Sequence, residues 1–238
     1  MSCTIPEWIG GNQSLILTST INWSSNFFES QIPCGVSTLS IIDLSRNLLS
    51  GLLPSCLNLQ KILHLLLHGN KLTGSLPKVI LNSSYLLTLD IRDNNIFGKI
   101  LDEIDGLPNL KSLLLRGNNF SGLIPKKLCR LKMLSIIDLS KNYFSGTIPY
   151  CFMNIAFGKT VEYFSIWRLY LYSFPNVAHN NLSDELLDMK AQFGTFGKSS
   201  CEWNPFLCCP PLEKSCVKID ESPPLPQETL RASDEKWY

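Results

Sequence analysis

Residues 131–149 read LKMLSIIDLSKNYFSGTIP, and residues 107–125 read LPNLKSLLLRGNNFSGLIP. The same frame fits 36–54 (VSTLSIIDLSRNLLSGLLP), 59–77 (LQKILHLLLHGNKLTGSLP) and 83–101 (SSYLLTLDIRDNNIFGKIL). A weaker copy, 15–33, ends in INWSSNFFESQIP. Asn26, Asn47, Asn70, Asn94, Asn118 and Asn142 stand 21, 23, 24, 24 and 24 residues apart. Pro33, Pro54, Pro77, Pro125 and Pro149 follow the same ruler, with Leu101 in the place of one proline. Two registers that move in step at this period mark an array of stacked coils.

The pattern says what one coil does. In 137–139, Ile137 and Leu139 alternate with Asp138, which is a short strand with two residues pointing inward. Asn142 then turns inward. A buried amide is tolerable only when its donors and acceptor are satisfied, and stacked coils offer backbone partners in the same and the neighbouring coil, forming a ladder. Ser145-Gly146 supplies a tight turn, with the glycine free to take a positive φ. Ile148 packs inward again, and Pro149 closes the coil where no backbone donor is needed. One coil cannot bury its few apolar residues alone. Stacking produces a single continuous core, and both ends need caps.

Composition narrows the function. The chain has 238 residues, Lys+Arg 21 against Asp+Glu 20 and a net charge of +1. That balance argues against a nucleic-acid-binding basic domain or a polybasic membrane anchor. With 45% hydrophobic and 17% charged residues it is not a disordered chain. No stretch reaches 18 consecutive apolar residues, and the start, Met-Ser-Cys-Thr-Ile-Pro, has neither a basic nor an apolar leader region. No transmembrane helix and no signal peptide are therefore expected in this chain. Nine cysteines lean towards an oxidising compartment.

The frame LxxLxxLxLxxNxLSGxIP is similar to the plant extracellular leucine-rich repeat, over nearly all of 15–149. Residues 177–216 (VAHNNLSDELLDMKAQFGTFGKSSCEWNPFLCCPPLEKSC) resemble the last repeat and C-terminal cap of plant receptor-like proteins. The resemblance implies a right-handed, curved leucine-rich-repeat solenoid. A parallel β-sheet would line the concave face, with a short second sheet and 3-10 segments on the convex side and little regular helix. The expected division is a partial repeat without an N-terminal cap at 1–14, about six repeats at 15–151 and an irregular aromatic-rich insertion at 152–175. A last degenerate repeat and Cys-containing cap follow at 176–216, then a flexible acidic, Pro-containing tail at 217–238. The chain departs from the family in lacking the N-terminal cap and the membrane helix. The step from Asn142 to Asn180 is 38 residues, and Pro175 falls at the start of the last strand, which should be poorly formed.

Cys34 and Cys56 are 22 residues apart, as are Cys129 and Cys151. Both pairs fall near one angular position on adjacent coils, where a bridge is reachable; buried free thiols are the alternative. The resemblance pairs Cys208 with Cys216. Cys3, Cys201 and Cys209 are left over, a Cys201–Cys209 bridge being one option. Five glycosylation sequons occur, at Asn12, Asn22, Asn82, Asn119 and Asn181, which agrees with a secreted chain.

Several motifs mislead. GTFGKSS at 194–200 has Gln192 where a phosphate-binding loop needs its first glycine. His64 and His68 sit roughly 13 Å apart along a strand at ~3.3 Å per residue, too far to share one ion. No metal site and no cofactor are expected. The chain contains no kinase motif and no GxSxG nucleophile, so it reads as a binding protein and not an enzyme.

The usable surface is the concave strand face. One outward column reads Asn22, Asp43, Leu66, Asp90, Leu114, Asp138; the next reads Ser24, Ser45, His68, Arg92, Arg116, Ser140. Asp and Ser are the family's default letters there, whereas His68, Arg92 and Arg116 are not. Rungs lie about 5 Å apart, so Arg92 and Arg116 could jointly hold one carboxylate. Some peptide-sensing relatives are thought to grip a peptide's C-terminal carboxylate in this way. The competing reading has Asp90 or Asp93 neutralising Arg92. Leu66 and Leu114 are expected to be exposed on the same face as apolar contacts. The candidate ligand-binding set is thus His68, Arg92, Arg116, Asp90, Leu66 and Leu114.

By resemblance the chain is the ligand-recognition part of a plant receptor-like protein in defence or development. It would sit on the extracellular side of the plasma membrane, bind a peptide or protein ligand, and signal through a co-receptor kinase, with no nucleic-acid partner. The alternatives are a secreted leucine-rich-repeat inhibitor of a microbial cell-wall hydrolase, or a non-functional gene fragment.

Overall fold

The computed structural model describes residues 3–6, 20–34, 39–57, 59–155, 175–185, 197–208 and 212. Each coil contributes one strand to each of two parallel sheets. The first sheet has six three-residue strands, Thr20–Asn22, Ile41–Asp43, His64–Leu66, Thr88–Asp90, Ser112–Leu114 and Ile136–Asp138, paired in chain order. Their register is strict: Leu65 lies opposite Leu89, and Leu113 lies between Leu89 and Ile137. All four of those residues are buried. The second sheet has nine strands: Cys3–Thr4, Phe28–Ser30, Leu48–Leu52, Lys71–Gly74, Asn95–Gly98, Asn119–Leu123, Tyr143–Gly146, Asn181–Glu185 and Phe206–Cys208. This is the expected leucine-rich-repeat solenoid. The only α-helix among the described residues is the single turn Lys198–Cys201.

The buried asparagines form the ladder that the repeat predicts. Asn118 is typical. Its Nδ2 donates to Ile91 O of the preceding coil at 2.9 Å and to Leu115 O of its own coil at 3.0 Å. Its Oδ1 accepts from Ile96 N of the preceding coil at 3.0 Å. Asn47, Asn70, Asn94, Asn142 and Asn180 repeat the pattern. The residue before each asparagine must turn left-handed, and Arg46, Asp93 and Lys141 accept φ of 54°, 51° and 53° there while Gly69 and Gly117 do so freely. The SG turn also behaves as expected, with Gly146 at φ 70°.

After the turn, prolines Pro77, Pro125 and Pro149 stand just before the 3-10 segments Lys78–Asn82, Lys126–Arg130 and Tyr150–Asn154. Where Leu101 replaces the proline, the segment shrinks to Ile104–Gly106. The core between the sheets is a continuous leucine and isoleucine spine, interrupted by the stacked rings of Phe120 and Phe144 at 6.1 Å.

Both spacing-derived disulfides are present, Cys34–Cys56 and Cys129–Cys151, with Cα separations of 5.5 and 5.8 Å. Cys208 is also disulfide-bonded, while Cys216 lies outside the described residues. Cys201 is a free buried thiol, so the Cys201–Cys209 option does not hold. At Asn176 the first sheet shrinks to a single-residue bridge with Asp138. Pro175 brings no N–H to that rung.

Removing one ladder amide orphans a backbone N–H and two carbonyls inside the core. Asn118→Ala should therefore lower stability by at least about 2 kcal/mol, read by urea unfolding followed by circular dichroism. The exposed Asn95→Ala should change it by less than about 0.5 kcal/mol. Equal losses for the two variants would contradict the ladder.

Candidate functional site: the face of the six-stranded sheet

The outward column at the strand ends has a structural task. Asp43 Oδ1 accepts from the Ser45 amide at 3.1 Å and its hydroxyl at 2.6 Å. Asp138 repeats this with Ser140 at the same distances. Asn22 does it with Ser24, and Asn176 accepts from the Ala178 amide at 3.0 Å. These side chains satisfy the backbone where strand pairing ends. Their recurrence follows from the coil and carries no ligand information.

Asp90 departs from that pattern. Its Oδ1 accepts from Arg92 N at 3.2 Å and Arg92 Nε at 2.9 Å, and its Oδ2 accepts from the Arg92 Nη2 at 2.8 Å. His68 Nδ1 from the previous rung approaches Oδ2 at 3.1 Å. The Asp90 side chain is 0% exposed, that of Arg92 17% and that of His68 19%. Burial alone would raise the Asp90 pKa. The hydrogen bonds from His68 and Arg92, and the guanidinium charge, outweigh it and hold the carboxyl well below its ordinary range. Nearby, His64 is buried with Nδ1 3.1 Å from Thr88 Oγ1. Desolvation, and then the charge of Lys111, lower its pKa.

The structure therefore ties His68, Asp90 and Arg92 into one ionic group. Arg116 stands apart from that group. It is 40% exposed, with Asp93 as a loose partner at 3.7 Å. Leu66 and Leu114 occupy the expected column but are 5% and 1% exposed, so the expectation that they face solvent is corrected. On the inner side of a curved sheet, rungs about 4.8 Å apart crowd their side chains together, and a leucine between two aspartates loses its access to water. The solvent-facing part of this surface is the rim, where Arg46, Asp93, Lys141, His179 and Trp203 are exposed. The Trp203 ring stacks on His179 at 5.4 Å.

Two further features escaped the sequence reading. Asn204 belongs to the ladder: its Oδ1 accepts from Leu182 N and its Nδ2 donates to Val177 O, both at 3.0 Å. Its distance of 24 residues from Asn180 was the available signal. The GTFGKSS stretch leads into this terminal coil, and Ser200 O accepts from Val177 N at 2.8 Å. Among the sequons, Asn22, Asn82, Asn119 and Asn181 are exposed, and Asn12 lies outside the described residues. Among the described residues no His, Cys, Asp and Glu group is placed to hold a metal ion, and no helix is long and apolar enough to cross a membrane.

Comparisons with known proteins agree with this geometry. The Leucine Rich Repeat family matches residues 38–59, 85–107, 109–131 and 133–155. The ectodomain of the plant membrane receptor kinase GASSHO1/SCHENGEN3 from Arabidopsis thaliana, solved with CASPARIAN STRIP INTEGRITY FACTOR 2, superposes with a TM-score of 0.76. The likeness has 31% identity over 90% of this chain and 24% of that one. This is a leucine-rich-repeat chain of the plant receptor type. The Arabidopsis receptor kinase HAESA, solved with the peptide hormone IDA and the co-receptor SERK1, gives a TM-score of 0.72 at 28% identity, over 92% of this chain and 33% of that one. Receptor-like protein 31 of Arabidopsis thaliana is 35% identical over 76 residues, covering 30% of this chain and 9% of the relative. The leucine-rich-repeat chain thus spans under a tenth of that curated relative.

The Asp90 group contributes stability because its folded-state pKa is depressed. That contribution is complete above about pH 5 and fades as the pH falls through the ordinary carboxylate value of about 3.9 towards the folded one. Asp90→Asn should melt lower than the parent at pH 7, and the gap should narrow between pH 5 and pH 2.5 in differential scanning calorimetry. A gap independent of pH would contradict the ionic group. Burial pushes the Cys201 thiol up to about 12. It should resist alkylation at pH 8 until the chain is unfolded, as read by peptide mapping, and rapid native labelling would contradict its burial.

Proposed function

We propose that this chain is the ligand-recognising part of a plant cell-surface receptor, with the six-stranded face and its rim receiving an extracellular peptide or protein. The carrying observation is the partition of charge on that face. Arg92 is satisfied by the carboxylate of Asp90, whereas the guanidinium of Arg116 is accessible and only loosely paired. Arg116, with Lys141 one rung on, offers the side-chain cations for an incoming carboxylate. His68, Asp90 and Arg92 hold the floor of the site, and Leu66 and Leu114 support it from below the accessible surface. Signal output belongs to a partner kinase, since the chain contains no kinase motif. The likeness to HAESA and GASSHO1/SCHENGEN3, both solved with partners bound, supports recognition as the task. The setting is the extracellular side of the plasma membrane, and defence and development are both compatible with it.

The test uses a random 12-residue peptide library with free C-terminal carboxylates, beside the same library amidated. The parent chain should enrich free-carboxylate peptides. Arg116→Ala should weaken the enriched peptides about tenfold or more, and adding Arg92→Ala should abolish binding, with circular dichroism unchanged. Enrichment indifferent to the carboxylate, or to Arg116, would overturn the assignment.

A further inference from the structure

Apolar side chains remain exposed on the outer face of the nine-stranded sheet, among them Phe97 at 51% and Leu123 at 67%. The register sets Phe97 directly opposite Asn119 on the neighbouring strand. Ile96 and Phe120, their neighbours along the chain, are fully buried. Strand alternation therefore points Phe97 and Asn119 out of the same face, about 4.8 Å apart from backbone to backbone. Asn119 opens the sequon Asn119-Phe120-Ser121.

We propose that Asn119 carries an N-linked glycan whose first N-acetylglucosamine lies flat against the ring of Phe97. The axial C–H face of a pyranose is apolar and weakly positive, while an aromatic face is negative, so the two surfaces are complementary. The sugar covers apolar area that the sheet otherwise leaves in water, and Leu123 extends that surface along the same strand. The other described sequons lack this partner. Asn22 Oδ1 already accepts from both the amide and the hydroxyl of Ser24. Asn82 ends a 3-10 segment, and Asn181 lies opposite Ser145, which has no ring. The glycan at Asn119 thus braces two successive coils from outside, as the asparagine ladder does from inside. This goes beyond the proposed function and shares with it only passage through the secretory route.

The test expresses the full 238-residue chain in insect cells behind an added secretory leader. Mass spectrometry of the tryptic peptide 117–126 reads occupancy. Asn119→Gln should lower the melting temperature of the parent by about 2–4 °C. The same change should have less than 1 °C of effect in a Phe97→Ser background, and Phe97→Tyr should restore the full shift. An unoccupied Asn119, or an equal shift with and without the aromatic ring, overturns the proposal. Because the leader is supplied, either failure leaves the ligand-binding reading standing, and a peptide screen without hits leaves this one standing.

Discussion

A primary amide buried between coils is the constraint from which the rest of the molecule follows. Each ladder asparagine needs an acceptor for one backbone N–H and donors for two carbonyls, all within one short reach. Aspartate would lack the donors, serine the length, and glutamine would need another methylene of room. The bonds also have a direction. Asn118 binds backbone groups of the coil before it, so every coil is completed by its successor. Asn26, the first in the described row, is exposed and donates to Trp23 O and Ser24 O of its own coil. Stability in such an array is a sum of neighbour terms, and each amide belongs to an interface between coils as much as to its own coil.

The ladder also decides which letters on the face can speak about function. It fixes where the strand ends, and that end needs an acceptor for the amide two residues on. Asp43, Asp138, Asn22 and Asn176 supply it. Asp90 does this too, but its carboxylate is also claimed by a guanidinium and an imidazole. A salt bridge so thoroughly buried organises the surface without offering charge to a partner. The accessible cation is displaced one rung along, to Arg116, so one arginine of the matched pair shapes the site while the other faces solvent.

The sequence disclosed the fold because two registers, the asparagines and the prolines, had to agree, and both report backbone geometry. It disclosed the disulfides Cys34–Cys56 and Cys129–Cys151 for the same reason, since angular position follows from the period. It was less informative about the face. Alternation gives the direction of Leu66 and Leu114 but says nothing of what stands beside them, and their burial depends on crowding across rungs. Asn204 went unread because its neighbours resemble a cysteine cap, although the 24-residue ruler reaches it without adjustment. The ionic triangle at Asp90 joins residues 22 and 24 apart in sequence, and only the register reveals which of the competing carboxylates Arg92 takes.

The long step between Asn142 and Asn180 shows how little the ladder asks of the chain between its rungs. Fourteen residues beyond the period intervene. Even so, Phe144 N reaches Asn180 Oδ1 at 2.9 Å, and Asn180 Nδ2 reaches Leu139 O at 3.0 Å. These are the same bonds, at the same lengths, as in coils of regular size. Loop-closure entropy rises only slowly with length, so extra residues cost little once both ends are held. What the surplus does disturb is the strand. The Asp138–Asn176 pairing is a single-residue bridge where its predecessors pair over three. Extra sequence in a stacked array is thus tolerated where it leaves both amides in place. Here it enters directly beside the sheet face, where variable residues can alter recognition without loosening the spine.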